Sequence, residues 1–504
     1  DNNGNRNIYF NNFNFTKAAP YATNFDLTDT RVMTGTNGLT KTGTNILTIS
    51  GANTYTGATT VTAGTVQLGA ANVIADASNV TLNGGTLRTG SGAGFSETVG
   101  TLNLSANSTI ALGTGAHNLT FANSSAVSWT AGTTLTITGW AGAYNGTAGT
   151  AGRIFIGASA SNLTAQQLSQ IRFNNGTLNF TPTILPSGEL VPLARINEWT
   201  GATSLAWLTT NNWLASTVAG NTTSTNSDIA LFNVNTQPIS EINMNTQSGN
   251  HYLSALHWGT GATTNRTVQN SSTATAGTLH LNATSLNGIG NTILYNQSTG
   301  THSIRNGATT QIMNLRPANA TNNVIQITGT GGITIQSVIT GTGSITKEGS
   351  GSGTLTLSGA NTYSGTTTIA NGSVTCALAN TLPSTTSLTL NNNSGATLNL
   401  NNFAQTVASL SGGGASGGNI TTGGTSGFLT VNQSTNTTYA GVMSGTGGLT
   451  KTGAGTLALS GTNTYTGLTT ITAGTLRLGA ANVLATGNVS LNGGTLSTGA
   501  AAGF

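Results

Sequence analysis

The chain has 504 residues, of which only 5% are charged, 70 are glycine and 7 are proline, while 36% are hydrophobic. This composition excludes a disordered chain, which combines low hydrophobicity with high net charge, and it excludes collagen. The net charge of +4 rests on few ionisable groups, and no lysine–arginine cluster is present, so nucleic acid is not expected as a partner. No run approaches the roughly 18 apolar residues of a membrane helix.

Short apolar runs with strand character fill the beginning of the chain. Threonine, valine, isoleucine and leucine alternate there, with glycine and asparagine between the runs. β-Branched residues suit a pleated sheet, and glycine and asparagine tolerate a positive φ in turns. The pattern predicts short β-strands over the following segments: 46–50, 58–62, 65–69, 79–83 and 101–105.

A different pattern follows in the segment 151–195. SNLTAQQLSQIRF (161–173) predicts the one short helix, with Thr164 as its N-cap residue. LPSGELVP (185–192) holds two of the seven prolines and is typical of the end of a domain or of a linker. Glu189 and Glu198 flank this junction, so we expect them to be solvated.

Tryptophans concentrate immediately after this junction. INEWTGATSLAWLTTNNW (196–213) contains Trp199, Trp207 and Trp213, half of the six tryptophans of the chain. Large aromatic side chains at the start of a solenoid commonly close its open end. We therefore predict a domain boundary near residue 195.

One repeat occurs three times along the chain. GTNGLTKTGTNILTISGANTYTGATTVTAGTVQLG (35–69) is closely matched by GTGGLTKTGAGTLALSGTNTYTGLTTITAGTLRLG (445–479), and a third copy with two extra residues begins at Gly341. The first and last copies keep the same register, and Phe504 falls at the point of the pattern that Phe95 occupies. We expect the full polypeptide to continue beyond Phe504.

The spacing of similar strands favours a parallel coil. They recur about every 15–20 residues, which is typical of one turn of a β-solenoid. Neighbouring turns then stack their apolar faces, while rows of threonine cover the outside. A β-sandwich or a set of antiparallel hairpins, which Asn-Gly turns could also form, is the less favoured alternative.

The three copies share the pattern L/I-T-K-x-G…G-x-N-T-Y-x-G…T-T-x, at about residues 32–90, 341–375 and 441–498. This pattern resembles the autotransporter-associated β-strand repeat, also called the passenger-associated transport repeat, of long exported surface proteins. The resemblance implies an all-β, modular, right-handed parallel β-helix or β-solenoid with little helix. It also implies export to the surface of a Gram-negative-type bacterium.

Two solenoid modules are predicted from these landmarks. Residues 1–195 form the end of one module, with a repeat at 32–90 and a closing segment at 151–195. Residues 196–504 form the second module, which continues beyond 504. The second module has a Trp-rich opening at 196–232 and repeats at 341–375 and 441–498.

Candidate catalytic groups are sparse, so we predict that the chain is not an enzyme and binds no cofactor or metal. Glycoside hydrolysis needs two facing carboxylates, and lyase chemistry needs acids around a cation. His117, His251, His257, His280 and His302 lack ligand spacing, and the lone Cys376 is expected to be buried. The ten acidic residues are scattered: Asp1, Asp26, Asp29, Asp76, Glu97, Glu189, Glu198, Asp228, Glu241 and Glu348.

Residues that recur at fixed positions of the repeat are predicted to be structural. The lysine is expected to cap a strand turn and protect a sheet flank, and the tyrosine to seal a turn against the next coil. The alternative is that both contact carbohydrate. The positions are Lys41, Gly51, Asn53, Tyr55 and Gly57 in the first copy, Lys347, Gly359, Asn361, Tyr363 and Gly365 in the second, and Lys451, Gly461, Asn463, Tyr465 and Gly467 in the third.

The sequence thus predicts an extracellular structural protein that builds a surface stalk, sheath or fibre from tandem modules. Its expected partner is itself, through self-association or end-to-end stacking into a filament. An adhesin that binds surface glycans is the alternative. A polysaccharide-degrading β-helix is a third reading, and the scattered acids disfavour it.

Overall fold

The computed structural model describes residues 13–15, 27–29, 32–176, 178–201, 204, 206–213, 218–220, 228–233, 241–244, 250–270, 276–282, 284–286, 289–306, 312–317, 322–481, 483–484 and 487–499. The chain divides into two compact units. The first unit comprises Asp1–Ile196 with Ser285–Ile289, and the second comprises Asn197–Thr284 with Gly290–Phe504.

Where the structure describes the first part of the chain, it has short strands and one short helix. The helix is α1 (Ala165–Ser169). The strands are β1 (Phe13–Phe15), β2 (Leu27–Asp29), β3 (Leu39–Lys41), β4 (Ile46–Ile49), β5 (Thr59–Val61), β6 (Thr65–Leu68), β7 (Val80–Asn83), β8 (Thr86–Arg88), β9 (Glu97–Val99), β10 (Leu102–Ala106), β11 (Ser108–Ala111), β12 (His117–Phe121), β13 (Leu135–Thr138), β14 (Gly152–Ile156), β15 (Ile171–Asn174), β16 (Asn179–Ile184) and β17 (Glu189–Glu198).

Strands also dominate the rest of the chain, with a short 3-10 helix at Thr210–Asn212. The strands are β18 (Ile229–Phe232), β19 (Glu241–Met244), β20 (Asn250–Leu253), β21 (Ala255–Trp258), β22 (Thr267–Asn270), β23 (Ala276–Leu281), β24 (Thr284–Leu286), β25 (Ile289–Asn296), β26 (His302–Arg305), β27 (Ile312–Pro317), β28 (Asn323–Ile327), β29 (Ile333–Ile335), β30 (Ile345–Glu348), β31 (Leu355–Leu357), β32 (Thr367–Ile369), β33 (Ser373–Cys376), β34 (Ser387–Leu390), β35 (Thr397–Asn399), β36 (Gln405–Val407), β37 (Ser409–Gly412), β38 (Asn419–Thr421), β39 (Leu429–Asn432), β40 (Thr437–Tyr439), β41 (Met443–Ser444), β42 (Leu449–Thr452), β43 (Thr456–Leu459), β44 (Thr469–Ile471), β45 (Thr475–Leu478), β46 (Val489–Leu491) and β47 (Thr495–Ser497).

Parallel pairing between successive coils organises the first unit. One sheet runs β1-β3-β5-β7-β10, and a second runs β2-β4-β6-β8-β11-β13-β15. Leu39 pairs with Thr59, and Thr59 pairs with Val80, so a coil of the repeat takes 20 or 21 residues. This period is slightly longer than the 15–20 residues expected.

Alternation within each three-residue strand separates core from surface. In β3 and β5 the outer two residues are buried and the middle threonine is half-buried. Thr40, Thr60 and Thr81 align from coil to coil and form a polar row outside the core. Each fully buried aliphatic side chain contributes about 1.5–3 kcal/mol, and every coil repeats that contribution. The predicted threonine rows on the outside are confirmed.

The end of the first unit departs from parallel pairing. Helix α1 has Thr164 as its N-cap, as the sequence predicts, and Gln167 completes a capping box with it. The strands around it, β15, β16 and β17, pair antiparallel, and β17 also pairs antiparallel with β14. Of the segment 185–192, expected as a domain end or linker, residues 185–188 form the turn between β16 and β17, and residues 189–192 begin strand β17 of this closing sheet.

The second unit is also built from parallel stacks. The longest runs β18-β21-β25-β28-β30-β32-β34-β37-β40-β43-β45-β47, and another runs β19-β22-β26-β29-β31-β33-β35-β38-β41. Shorter stacks run β20-β23-β27 and β36-β39-β42-β44-β46. The predicted all-β parallel solenoid with little helix is confirmed, and the hand of its coil stays a prediction.

Aromatic side chains pack at the first coils of the second unit. Trp199 lies edge-on to Trp213 with ring centroids 5.0 Å apart, and Trp207 lies 4.8 Å from Trp213. Phe232 packs against all three tryptophans and stacks on Trp258. Each of these rings is essentially inaccessible to solvent. The Trp-rich segment therefore forms a buried aromatic cluster at the beginning of this core.

Candidate functional site

The repeat lysine points into the coil and not along an exposed sheet flank. Lys41 is 2% exposed, and its Nζ atom donates to the carbonyl oxygens of Thr42 at 2.8 Å, Gly43 at 2.7 Å and Ala63 at 3.2 Å. Thr42 and Gly43 belong to its own turn, and Ala63 belongs to the next coil. The ammonium group thus satisfies carbonyls of two neighbouring turns.

The other two repeat lysines make the same kind of contact. Lys451 donates to the carbonyls of its own turn and of Ala473 in the next coil. Lys347 donates to the carbonyls of Glu348 at 2.7 Å and Asn371 at 3.2 Å. Burial lowers the pKa of Lys347 to about 8, because the charged form loses its hydration.

The repeat asparagine connects three successive coils. The Oδ1 atom of Asn361 accepts from the N–H of Ile339 in the preceding coil at 2.8 Å, and its Nδ2 atom donates to the carbonyl of Thr381 in the following coil at 2.7 Å. Asn53 and Asn463 bridge their neighbouring coils in the same way. Each side chain is about 5% exposed or less. One amide therefore satisfies a buried donor and a buried acceptor.

The repeat tyrosine begins a chain of buried hydroxyl groups. The Oη atom of Tyr55 lies 2.7 Å from Oγ1 of Thr59, which lies 2.9 Å from Oγ of Ser78 in the next coil. Ser78 then donates to the carbonyl of Gly57. Tyr363 starts the same chain in the second copy. Burial raises the pKa of Tyr55 to about 12.

The repeat glycines allow neighbouring coils to approach closely. A Cβ atom at Gly461 would lie 2.1 Å from the carbonyl oxygen of Gly441, and one at Gly359 would lie 2.5 Å from that of Ser337. A Cβ atom at Gly57 would lie 2.2 Å from the backbone nitrogen of Gly38. Only a residue without a side chain fits at these contacts.

Glu189 is not solvated, contrary to our expectation. It has no exposed surface, it forms an ion pair with Arg153, and its Oε1 atom accepts from the N–H of Gly149 at 2.8 Å. The antiparallel pairing of β17 with β14 places Glu189 opposite Phe155, two residues along β14 from Arg153. Sequence alone does not reveal this pairing, because Arg153 and Glu189 are 36 residues apart.

A serine and a histidine meet inside the second unit in a way that resembles a catalytic dyad. Ser298 Oγ lies 2.7 Å from Nε2 of His302. However, His302 Nδ1 accepts from the N–H of Arg266, so its Nε2 carries the proton and donates to the serine. Ser298 in turn donates to Oδ1 of Asn296. Both side chains are buried, so the pair is a structural network and not a general-base arrangement.

An aromatic and cationic row lies in the stack β20-β23-β27. The rings of Tyr252 and His280 stack with centroids 4.3 Å apart, and Arg316 is next in register beside His280. The Nε2 atom of His280 is 3.0 Å from Oδ1 of Asn250. Burial and the neighbouring Arg316 lower the pKa of His280. Arg316 is exposed and Tyr252 is half-buried.

Metal-ligand clusters are absent from the part of the chain that the structure describes, where no three His, Cys, Asp or Glu side chains converge. Cys376 is buried, and burial raises the pKa of its thiol to about 11.

Among the residues that the structure describes, no helix combines the length and the apolar character that crossing a bilayer requires. Asp1, Asp26 and Lys17 lie outside the described residues.

Some residues that serve the repeat core were missed by reasoning from sequence. Each repeat tyrosine forms a hydrogen bond with a threonine hydroxyl, and these threonines are Thr59, Thr367 and Thr469. Their signal was present, since a threonine recurs four residues after each repeat tyrosine. Glu97 and Gln405 were also missed, because they lie in a later coil than the repeat motif.

Comparison with known protein families identifies the same three-copy repeat that the sequence pattern indicated. Three segments match the model described as Passenger-associated-transport-repeat, residues 39–68, 350–375 and 449–478. The chain is also similar to "Adhesin BmaC autotransporter" of Brucella suis biovar 1 (strain 1330), with 44% identity over 75 residues, 15% of this chain. The matched region spans only 2% of that relative. No solved structure matches the chain. The chain therefore carries three passenger-associated transport repeats.

Proposed function

We propose, from three passenger-associated transport repeats set in parallel β-stacks, that this chain is part of the passenger of an exported bacterial surface protein. The repeats and the autotransporter named above support placement outside a Gram-negative-type cell. Protease treatment of intact cells tests the proposal. A surface passenger is cleaved while a cytoplasmic marker stays intact, and a chain protected until the cells are lysed contradicts it.

The role that we propose is structural and not enzymatic: the chain builds a stalk, sheath or fibre. One observation carries this proposal. The polar side chains that recur in the repeat, lysine, asparagine and tyrosine, are buried and bonded to carbonyl, amide or hydroxyl groups of their own and adjacent coils. Their chemistry therefore serves the stacking of coils. The fifteen repeat positions named above are proposed as structural positions.

Tandem modules are part of the same proposal. We place the boundary between residues 195 and 196, within β17 (Glu189–Glu198), whose first residues pair antiparallel in the closing sheet, and the buried tryptophan cluster begins after it at Trp199. The division of the chain into two compact units at Ile196 and Asn197 supports this boundary. Thermal unfolding of the purified chain tests it, because two separable transitions are expected and a single cooperative transition contradicts it.

Electron microscopy of the purified chain tests the proposal that it assembles into a fibre. Self-association or end-to-end stacking predicts filaments whose length grows with protein concentration. The Lys41→Met and Lys451→Met variants, which damage the stack, are expected to shorten them, while Thr40→Val serves as the surface control. Dispersed short particles at every concentration would overturn the proposal of a fibre.

An adhesin is the second candidate, and the row formed by half-buried Tyr252, buried His280 and exposed Arg316 favours it. A guanidinium group beside aromatic rings suits a carboxylated sugar. The relative named above is an adhesin by its printed name. A glycan array tests this candidate with Arg316→Ala, and Arg477→Ala is the matched control because Arg477 is also exposed. Binding that depends on Arg316 alone supports it, and absence of binding removes it.

A serine-reactive fluorophosphonate probe tests the proposed lack of enzyme activity at Ser298. We expect no labelling of the folded protein, because the hydroxyl is buried and already donates to Asn296. Labelling that disappears in Ser298→Ala would contradict a purely structural role for this residue.

A further inference from the structure

Glu97 and Gln405 occupy the same position in two copies of the repeat. Each lies 46 residues after the repeat glycine, Gly51 or Gly359, and each is followed by Thr-Val. Both side chains are about 1% exposed or less. The fold therefore places an acid and its amide analogue in equivalent surroundings within one chain.

The glutamine uses both ends of its amide. Oε1 of Gln405 accepts from the N–H of Leu382 at 3.1 Å, and Nε2 donates to the carbonyl of Leu378 at 2.7 Å. The position therefore demands one acceptor and one donor. A glutamine supplies both at every pH.

Glu97 supplies only the acceptor when it is ionised. Its Oε2 atom accepts from the N–H groups of Val73 at 2.8 Å and Ile74 at 3.2 Å. Its Oε1 atom is buried without a hydrogen-bond partner. The residue equivalent to Leu378, whose carbonyl accepts from the Gln405 amide, is Ala70. A carboxylic acid can donate and a carboxylate cannot.

We propose that Glu97 is a pH-sensitive latch: as a neutral acid it holds the turn 70–78 of the first repeat, and its ionisation loosens that turn. Burial raises the pKa of Glu97 to about 7 from an ordinary 4.5, and the neighbouring exposed Asp76 adds to the shift. The buried phenol of Tyr55 also interacts with Glu97. His117 lies on the paired strand β12, where its ring contacts Thr89 and the Gly115 carbonyl.

The sign follows from proton linkage. Between pH 4.5 and 7 the carboxyl group of Glu97 is ionised in the open turn but protonated in the closed turn. Rising pH therefore favours opening. Opening then increases by up to about tenfold per pH unit. Below 4.5 and above 7 this dependence ends. The equivalent turn at 378–386, held by Gln405, has no such dependence.

Hydrogen exchange with peptide-level mass spectrometry tests the latch in the intact chain. The measured quantity is the exchange rate of segment 70–78 divided by that of segment 378–386, which removes the intrinsic effect of pH. We expect this ratio to rise between pH 5 and 7 in the unmodified protein and to stay flat in Glu97→Gln. Gln405→Glu is expected to confer the dependence on 378–386.

A flat ratio in the unmodified protein would overturn the proposal, and this measurement needs no variant that might misfold. A ratio that still rises in Glu97→Gln would also overturn it, since another group would then be responsible. Loss of the infrared band of a buried carboxylic acid in Glu97→Gln is expected at pH 6 as an independent readout.

Discussion

A Cβ atom added to Gly64 would lie 2.7 Å from the Nζ atom of Lys41, so the glycine of one coil leaves the space that the lysine of the preceding coil fills. The same atom would lie 2.4 Å from the carbonyls of Gly43 and Asn45. Gly64 also has a φ of +64°. The lysine side chain of one coil therefore occupies the space that a side chain at Gly64 of the next coil would need.

Gly64→Ala is expected to destabilise the first unit by about 3 kcal/mol, from the positive φ and the crowding of buried backbone together. Gly115→Ala is the matched control, because Gly115 has a φ of +76° with no atom within 4 Å of the added Cβ. The control is expected to lose only about 1 kcal/mol. Thermal unfolding of both variants measures the difference, and equal losses would contradict the proposed contact.

Lys41→Met is expected to destabilise the first unit by about 3 kcal/mol, because three carbonyl oxygens lose a charged donor. Thr40→Val changes the adjacent half-buried surface position and is expected to cost less than about 0.5 kcal/mol. Denaturant unfolding distinguishes them. If both variants behaved like the unmodified chain, the carbonyl contacts of the lysine would be irrelevant to stability.

Asn361→Ala is expected to cost about 2–4 kcal/mol, since the N–H of Ile339 and the carbonyl of Thr381 would both lose a partner. Asn391→Ala, at an exposed turn position, is the control and is expected to change stability little. Hydrogen exchange at Ile339 gives a local readout. Unchanged protection there would mean that the asparagine does not connect the coils.

His302 makes the second unit sensitive to acid. Burial lowers the pKa of its imidazole to about 3 from 6.5, and the nearby Arg266 adds to the shift. Below pH 6.5 the imidazole of His302 is protonated in the unfolded chain but stays neutral in the folded chain. The free energy of unfolding therefore falls, as the pH is lowered from 6.5 to 3, by up to about 1.4 kcal/mol per pH unit. His302→Gln is expected to flatten this dependence in acid unfolding curves of the second unit.

This acid sensitivity is opposite in sign to the effect of Glu97 in the first unit. A His302→Gln variant that unfolds along the same pH curve as the unmodified chain would show that other groups control acid unfolding. The acid unfolding curve of His302→Gln is compared with that of His280→Gln, because His280 is also buried but lies in a different stack.

Local pattern carries much of the information about this fold. The alternation of apolar residues with threonine predicts strands such as Ile46–Ile49 and Thr65–Leu68, because a period of two follows directly from strand geometry. The helix after Thr164 is equally local, since its cap and the residue that completes the capping box are three positions apart. The parallel solenoid was predicted because similar strands recur at a nearly constant spacing.

What the repeat residues contact is decided by stacking and not by local sequence. The lysine motif alone allows an exposed flank as readily as a buried carbonyl contact, and the choice depends on Ala63 in the next coil. The ion pair of Arg153 with Glu189 likewise exists only because β17 folds back on β14. Sequence thus determined many of the strands and their approximate period, whereas tertiary structure decided which polar groups face each other, because those groups lie a full coil or more apart along the chain.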